Sequence, residues 1–135
     1  MGARSKARKR ALDMLYAADL RGESASDSLE RAIAAGEGPT NAYTASLVRG
    51  VMEHAARIDE LLTAYSEGWT LERMPAVDRN VLRLGVWELL YADDVPDAVA
   101  VSEAAALVRE LSTDDSPSFV NGILGAIQKQ KPTLT

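Results

Sequence analysis

Residues 81–91, VLRLGVWELLY, form the most apolar stretch of the chain, and only Arg83 and Glu88 within it are charged. A helix that is apolar nearly all round is usually surrounded by other helices. We therefore predict a central helix over about 76–92. Both charged residues are expected to make buried or half-buried polar contacts, because the helix offers them little solvent.

Helices account for the rest of the chain as well. The five prolines fall between apolar-periodic stretches, as expected for a residue that lacks an amide donor and clashes with the preceding turn. The predicted helices lie at about 4–20, 26–35, from 40 onwards, 58–66, 76–92, 98–112 and from 117 onwards. The expected fold is all-α: a compact single-domain bundle of about seven helices over residues 1–135. Its tail, from about 129, is expected to be loose.

The composition excludes several kinds of chemistry. The chain contains no cysteine and one histidine, His54, so disulfides, thiolate zinc sites and iron–sulfur clusters are ruled out. It also lacks a glycine-rich phosphate loop followed by lysine, and no apolar run approaches the roughly 20 residues of a membrane span. We expect a cytoplasmic protein that is not an enzyme, with no catalytic residue, metal or cofactor.

The charge of the chain is unevenly distributed. Arg4, Lys6, Arg8, Lys9 and Arg10 fall within the first ten residues with no acid among them, although the whole chain carries a net charge of −5. A short basic arm on an acidic body is the pattern that polyanion binding requires. A solvated or frayed terminus would produce the same pattern.

Three stretches together carry a resemblance to a known family. They are RKRALDMLY at 8–16, WTLER at 69–73 with VDRNVLRLGVWELL at 77–90, and STDDS at 112–116 with FVNG at 119–122. In this order and spacing they resemble the NusB family of bacterial transcription antitermination factors. The resemblance covers nearly the whole chain and is weakest between about 22 and 43.

The resemblance implies an all-helical fold and a non-enzymatic role. Members of the family bind the boxA element of nascent ribosomal RNA leaders together with NusE, which is also a small-subunit ribosomal protein. The complex joins RNA polymerase with other Nus factors and suppresses premature termination. Some members pair through the RNA-binding surface, so a homodimer of the free protein is also consistent with the resemblance.

The resemblance also assigns residues to these contacts. The RNA-binding residues that it implies are Arg4, Lys6, Arg8, Lys9, Arg10, Asp115 and Phe119. The partner-binding residues that it implies are Tyr16 and Asp78. The basic residues would contact phosphates, which supply the part of the affinity that does not depend on sequence.

Three of the other assignments have alternatives. The ring of Phe119 could stack on an unpaired base or fill the core. Asp115 could repel phosphate or accept a hydrogen bond from a base amino group. Asp78 could be a first-turn acid favoured by the helix dipole. Trp69 and Trp87 are interpreted as anchors of the core or of a partner.

Two other functions compete with RNA-dependent antitermination. The first is a protein-binding helical adaptor in which the basic arm is incidental. The second is an RNA-processing enzyme or its detached domain, for which the chain offers no catalytic groups. Binding of boxA and scrambled RNA, with and without NusE, separates the first of these from an RNA-binding factor.

Overall fold

The computed structural model describes residues 2–134, and their regular structure is helical. The helices are α1 (Ala3–Arg21), α2 (Ala25–Ala34), α3 (Ala42–Glu53), α4 (Ala55–Tyr65), α5 (Ala76–Tyr91), α6 (Asp97–Leu111) and α7 (Ser116–Leu134), with a short 3-10 turn at Leu71–Arg73. The predicted all-α fold with about seven helices is confirmed. The described residues contain no helix long and apolar enough to cross a membrane.

The predicted central helix is the centre of the bundle. Helix α5 contacts α1, α3, α4, α6 and α7, and its apolar side chains join one core with those of the other α-helices. The polar contacts expected of Arg83 and Glu88 are also present. The burial of α5 on nearly all sides follows from its almost unbroken apolar sequence.

Two glycines allow helices to pack against each other at short distance. A Cβ atom at Gly50 of α3 would lie 2.1 Å from Trp87 Nε1, and one at Gly85 of α5 would lie 2.6 Å from a methyl carbon of Leu124. Both distances are too short for real atoms. The indole ring of Trp87 therefore occupies the space that any other residue at position 50 would need.

Helices extend close to both limits of the described residues. Helix α1 begins at Ala3, so the basic arm is part of a helix. Helix α7 continues to Leu134, and Lys131 Nζ donates to Asp97 Oδ1 at 2.8 Å. Residues 129–134, for which a loose tail is expected, are thus helical and continue α7. Met1 and Thr135 lie outside the described residues.

We predict that Gly50→Ala lowers the free energy of unfolding by about 1–3 kcal/mol, because the new methyl group overpacks the contact with Trp87. Gly122→Ala is the matched control, since a Cβ there meets no atom within 4 Å. The control should gain up to about 1 kcal/mol from helix propensity. Urea unfolding followed by circular dichroism measures the stability of both variants. Equal stabilities would contradict the close contact between Gly50 and Trp87.

Candidate nucleic-acid interface

Two of the five basic residues at the start of α1 form ion pairs at the protein surface. Arg4 Nη2 lies 2.6 Å from Asp94 Oδ2, and Lys9 Nζ lies 2.6 Å from Glu110 Oε1. All four side chains remain well exposed. Exposed pairs of this kind contribute little stability, so a phosphate can replace the carboxylate at small cost.

Arg8 points into the molecule and is 4% exposed. Its Nε donates to both carboxylate oxygens of Glu88, at 2.9 and 3.0 Å, and its Nη1 donates to Glu103 Oε1 at 3.0 Å. The expectation that Arg8 contacts phosphate is therefore corrected. Its guanidinium joins α1 to α5 and α6, and it is not accessible to RNA.

Tyr43 of α3 completes the surroundings of Arg8. Its hydroxyl donates to Glu88 Oε2 at 2.5 Å. Burial, together with this bond to the Glu88 carboxylate, raises the pKa of Tyr43 above its usual value. The guanidinium carbon of Arg4 lies 4.2 Å from the centre of the Tyr43 ring, an arrangement that favours a cation over the ring face. This cluster thus links the N-terminal turns of α1 to the core.

Among the first ten residues, Lys6 and Arg10 are the exposed basic side chains that have no ion pair with the described residues 2–134. They are four residues apart and therefore share one helix face. Together with Thr40 and Asn41 they line an open cleft of about 410 Å³ between α1 and the segment before α3. Asn41 Nδ2 donates to Ala3 O at 3.3 Å, which ties that segment to α1.

Asp78 belongs to a hydrogen-bonded joint between α5 and the loop before α7. It is 2% exposed. Ser112 Oγ donates to its Oδ1 at 2.6 Å, and Ser116 Oγ donates to its Oδ2 at 2.8 Å. Because the carboxylate is buried and used by both serines, direct contact with a partner is not supported. Its role here is structural.

Asp115 and Phe119 lie beside this joint, at the first turn of α7. Asp115 is exposed, and Phe119 is half-buried and packs against the core. The edge of the Phe119 ring meets Trp69, with centroids 6.2 Å apart and planes at 65°. A cleft of about 240 Å³ is lined by Trp69, Pro75, Asp78, Thr113, Asp115, Ser116 and Phe119. We call it the aromatic cleft.

Trp69 is the residue of this cleft that the sequence did not assign to it. The residue lies in the loop between α4 and the 3-10 turn and is 52% exposed, so it anchors no core, in contrast to Trp87. Its backbone is fixed by Ser66: Trp69 N donates to Ser66 O at 3.2 Å, and Ser66 Oγ donates to Trp69 O at 2.6 Å. The tryptophan in WTLER was the available signal, but helical spacing there suggested burial.

Tyr16 is half-buried on α1, and Leu20 one turn later is 60% exposed. Between them Asp19 Oδ2 accepts from Arg79 Nε at 2.8 Å and from Asn80 Nδ2 at 2.9 Å. Burial opposes ionisation of Asp19, but the bonds from Asn80 and Arg79 hold the pKa of its carboxyl below the usual value. Tyr16 thus stands on a well-fixed part of α1, away from the basic N-terminal turns.

Buried charge elsewhere is fully compensated. Arg83 donates to Asp59 at 2.9 and 3.1 Å, which connects α5 to α4. Within the described chain, no buried side-chain nitrogen or oxygen lacks a hydrogen-bond partner. Residues 2–134 also hold no group of three or more acidic, histidine or cysteine side chains that could bind a metal ion.

Comparison with known proteins identifies the family. A model of the NusB family matches residues 5–129. The chain belongs to the NusB family. A transcription antitermination protein NusB from Nocardioides sp. (strain ATCC BAA-499 / JS614) is 78% identical over 134 residues, which are 99% of each chain. A relative with the same description from Arthrobacter sp. (strain FB24) is 59% identical over 99% of this chain and 98% of its own.

Solved structures of NusB proteins share the fold. The structure of T. maritima NusB has a TM-score of 0.84 and 35% identity, covering 96% of this chain and 92% of its own. A crystal structure of antitermination factors NusB and NusE in complex with dsRNA has a TM-score of 0.79 and 29% identity, covering 93% of this chain and 96% of that one. The resemblance drawn from the three sequence stretches is thereby confirmed at the level of the family.

Within this NusB-family fold, we predict that Arg8→Met lowers the free energy of unfolding by about 3–5 kcal/mol, because it leaves the buried Glu88 carboxylate without its cation. Lys6→Met, two residues away on the exposed face of α1, is the matched control and should change stability by less than about 0.5 kcal/mol. Thermal and urea unfolding test this difference. Equal changes in the free energy of unfolding for the two variants would contradict the burial of the Arg8 side chain.

Proposed function

We propose that this chain is a transcription antitermination factor that binds the boxA element of ribosomal RNA leaders together with NusE and helps RNA polymerase, with other Nus factors, to resist termination in the cytoplasm. The observation that carries the proposal is its membership of the NusB family together with the exposed, unpaired Lys6 and Arg10. A NusB relative of the same fold has been crystallised with NusE and dsRNA. This supports RNA and a ribosomal protein as the two partners.

The basic face of α1 provides the phosphate contacts in this proposal. Lys6 and Arg10 are available as they stand, whereas Arg4 and Lys9 must first leave Asp94 and Glu110. Arg8 is excluded by its burial. Asp115 and Phe119, at the start of α7, are proposed as further RNA contacts. RNA would then lie against α1 through its phosphates and against α7 through its bases.

The partner surface is proposed to include Tyr16 and the exposed Leu20 beside it. An aromatic side chain and an aliphatic one, one helix turn apart, present the apolar anchor that protein interfaces use. Asp78 would influence this surface only through the loop that it holds.

A second candidate function is a protein-binding adaptor without direct RNA recognition. It is favoured by the ion pairs that already occupy Arg4, Arg8 and Lys9. The test is binding of a boxA RNA and of a scrambled RNA of equal length, each with and without NusE. Preference for boxA supports the antitermination factor. Binding of NusE with no RNA affinity in either mixture would support the adaptor. Light scattering on the free protein tests for a homodimer.

We predict that Lys6→Ala with Arg10→Ala weakens boxA and scrambled RNA alike and flattens the slope of log affinity against log salt. Each lost contact with single-stranded RNA reduces the slope by about 0.7, so two contacts reduce it by roughly 1.4. The control is Arg31→Ala with Arg57→Ala, which removes the same charge from α2 and α4. If the slope of log affinity against log salt is the same for both double variants, Lys6 and Arg10 do not contact RNA.

We also predict that Tyr16→Ala weakens NusE binding by roughly tenfold, about 1.4 kcal/mol, since the ring is removed from the proposed interface. The RNA affinity of the isolated protein should stay unchanged, because no charge is lost. Ile33→Ala on α2 removes another exposed apolar side chain and serves as the control. Calorimetric titration measures the affinity of each variant for NusE. An unchanged affinity in the Tyr16→Ala variant would show that NusE binds a surface without Tyr16.

A further inference from the structure

The aromatic cleft has features that suit a flat, neutral ring. We infer that Trp69, together with Phe119, binds an unpaired nucleobase of the RNA in this cleft. The inference rests on the proposed function and deepens it, since it adds a base-contacting residue to a surface whose phosphate contacts lie on α1.

Trp69 is held outside the core by its own loop. The two hydrogen bonds to Ser66 fix its backbone, and the preceding Glu67 and Gly68 both have positive φ, at 42° and 88°. The backbone of Glu67 is strained in this conformation, because residues other than glycine rarely adopt it. The fold thus presents a large apolar side chain to solvent, where the hydrophobic effect alone would bury it.

The dimensions of the cleft fit one ring system. Its volume of about 240 Å³ lies just below the range of about 300–1,000 Å³ that holds drug-sized ligands. Trp69 and Phe119 line it with rings tilted by 65° to each other, so a base that stacks on one ring meets the edge of the other. Aromatic side chains bind unpaired bases in this way without regard to sequence.

The charges of the cleft favour a base over a phosphate or an aliphatic side chain. Asp115 at its opening and Asp78 within it repel phosphate, so the RNA backbone must stay outside. The exposed side chains of Asp115 and Thr113, which also line the cleft, have oxygens that can accept from a base amino group. An aliphatic side chain would offer these oxygens no donor.

One wall of the cleft is close in sequence to an ion-pair partner of the basic helix. The loop of residues 112–115, which forms one wall, follows α6 directly, and Glu110 near the end of α6 is the ion-pair partner of Lys9. An RNA strand that displaces Glu110 from Lys9 would then lie beside the end of α6, from which the loop of residues 112–115 continues. The phosphate contacts on α1 and the base contact at Trp69 belong to one path.

The experiment compares Trp69→Ala, Trp69→Phe and the unchanged full-length chain in binding single-stranded boxA RNA by fluorescence anisotropy. Trp69→Ala should lose about 5- to 150-fold in affinity, the range for removal of one stacking residue, with the salt slope unchanged because no charge is lost. Trp69→Phe should retain most of the affinity. Val99→Ala, which truncates an exposed apolar side chain on α6, is the control and should bind as the unchanged chain does.

Tryptophan fluorescence provides a readout that does not depend on the stability of the variants. RNA should quench the emission of the unchanged chain, and the quenching should disappear in Trp69→Phe, which keeps only Trp87. Quenching of the unchanged chain should also weaken when one nucleotide of the RNA is replaced by an abasic site. The position at which this replacement reduces quenching identifies the bound base.

Three results would overturn the inference. Native RNA affinity in Trp69→Ala without quenching in the unchanged chain would remove Trp69 from the RNA site and leave the proposed function intact. Native RNA affinity in Trp69→Ala with weaker NusE binding would show that the cleft binds a side chain of the partner protein instead of a base. Absence of RNA binding by the unchanged chain, with and without NusE, would refute the proposed function itself.

Discussion

The buried contact between Arg8 and Glu88 is the constraint on which the arrangement of the basic helix depends. Two charges removed from water are stable only when each is paired and hydrogen-bonded, and here Glu103 and Tyr43 supply the remaining partners. The pair fixes the rotation of α1 about its axis. Because Arg8 faces inward, Lys6 and Arg10 face the cleft beside residues 38–41. For the same reason Arg4 faces Asp94, which follows α5, and Lys9 faces Glu110 on α6.

The same logic applies to the loop between α6 and α7. Asp78 is buried and satisfied by Ser112 and Ser116, so the loop between α6 and α7 is attached to the first turn of the central helix. This attachment positions Asp115 and Phe119, and the ring of Phe119 contacts Trp69. Two buried carboxylates, Glu88 and Asp78, thus determine where the two exposed surfaces lie relative to α5.

Sequence reasoning predicted the helices well and the site only in part. The apolar run at 81–91 and the prolines mark the helices because burial and chain geometry act locally. The inward direction of Arg8 could not be predicted from a run of five basic residues, since it depends on Glu88, 80 residues away. The exposure of Trp69 and the burial of Asp78 likewise depend on packing between distant segments, which the periodicity of one segment shows only in part.

The ion pairs of Arg4 and Lys9 have a consequence for any measurement of electrostatic binding. Asp94 and Glu110 act as tethered counterions, so an RNA phosphate that takes their place releases a carboxylate that stays attached to the protein, and fewer mobile salt ions return to solution. Contacts made by Arg4 and Lys9 would then contribute less to the salt dependence than contacts made by Lys6 and Arg10. The number of phosphates inferred from ionic strength alone is therefore smaller than the number that touch the helix.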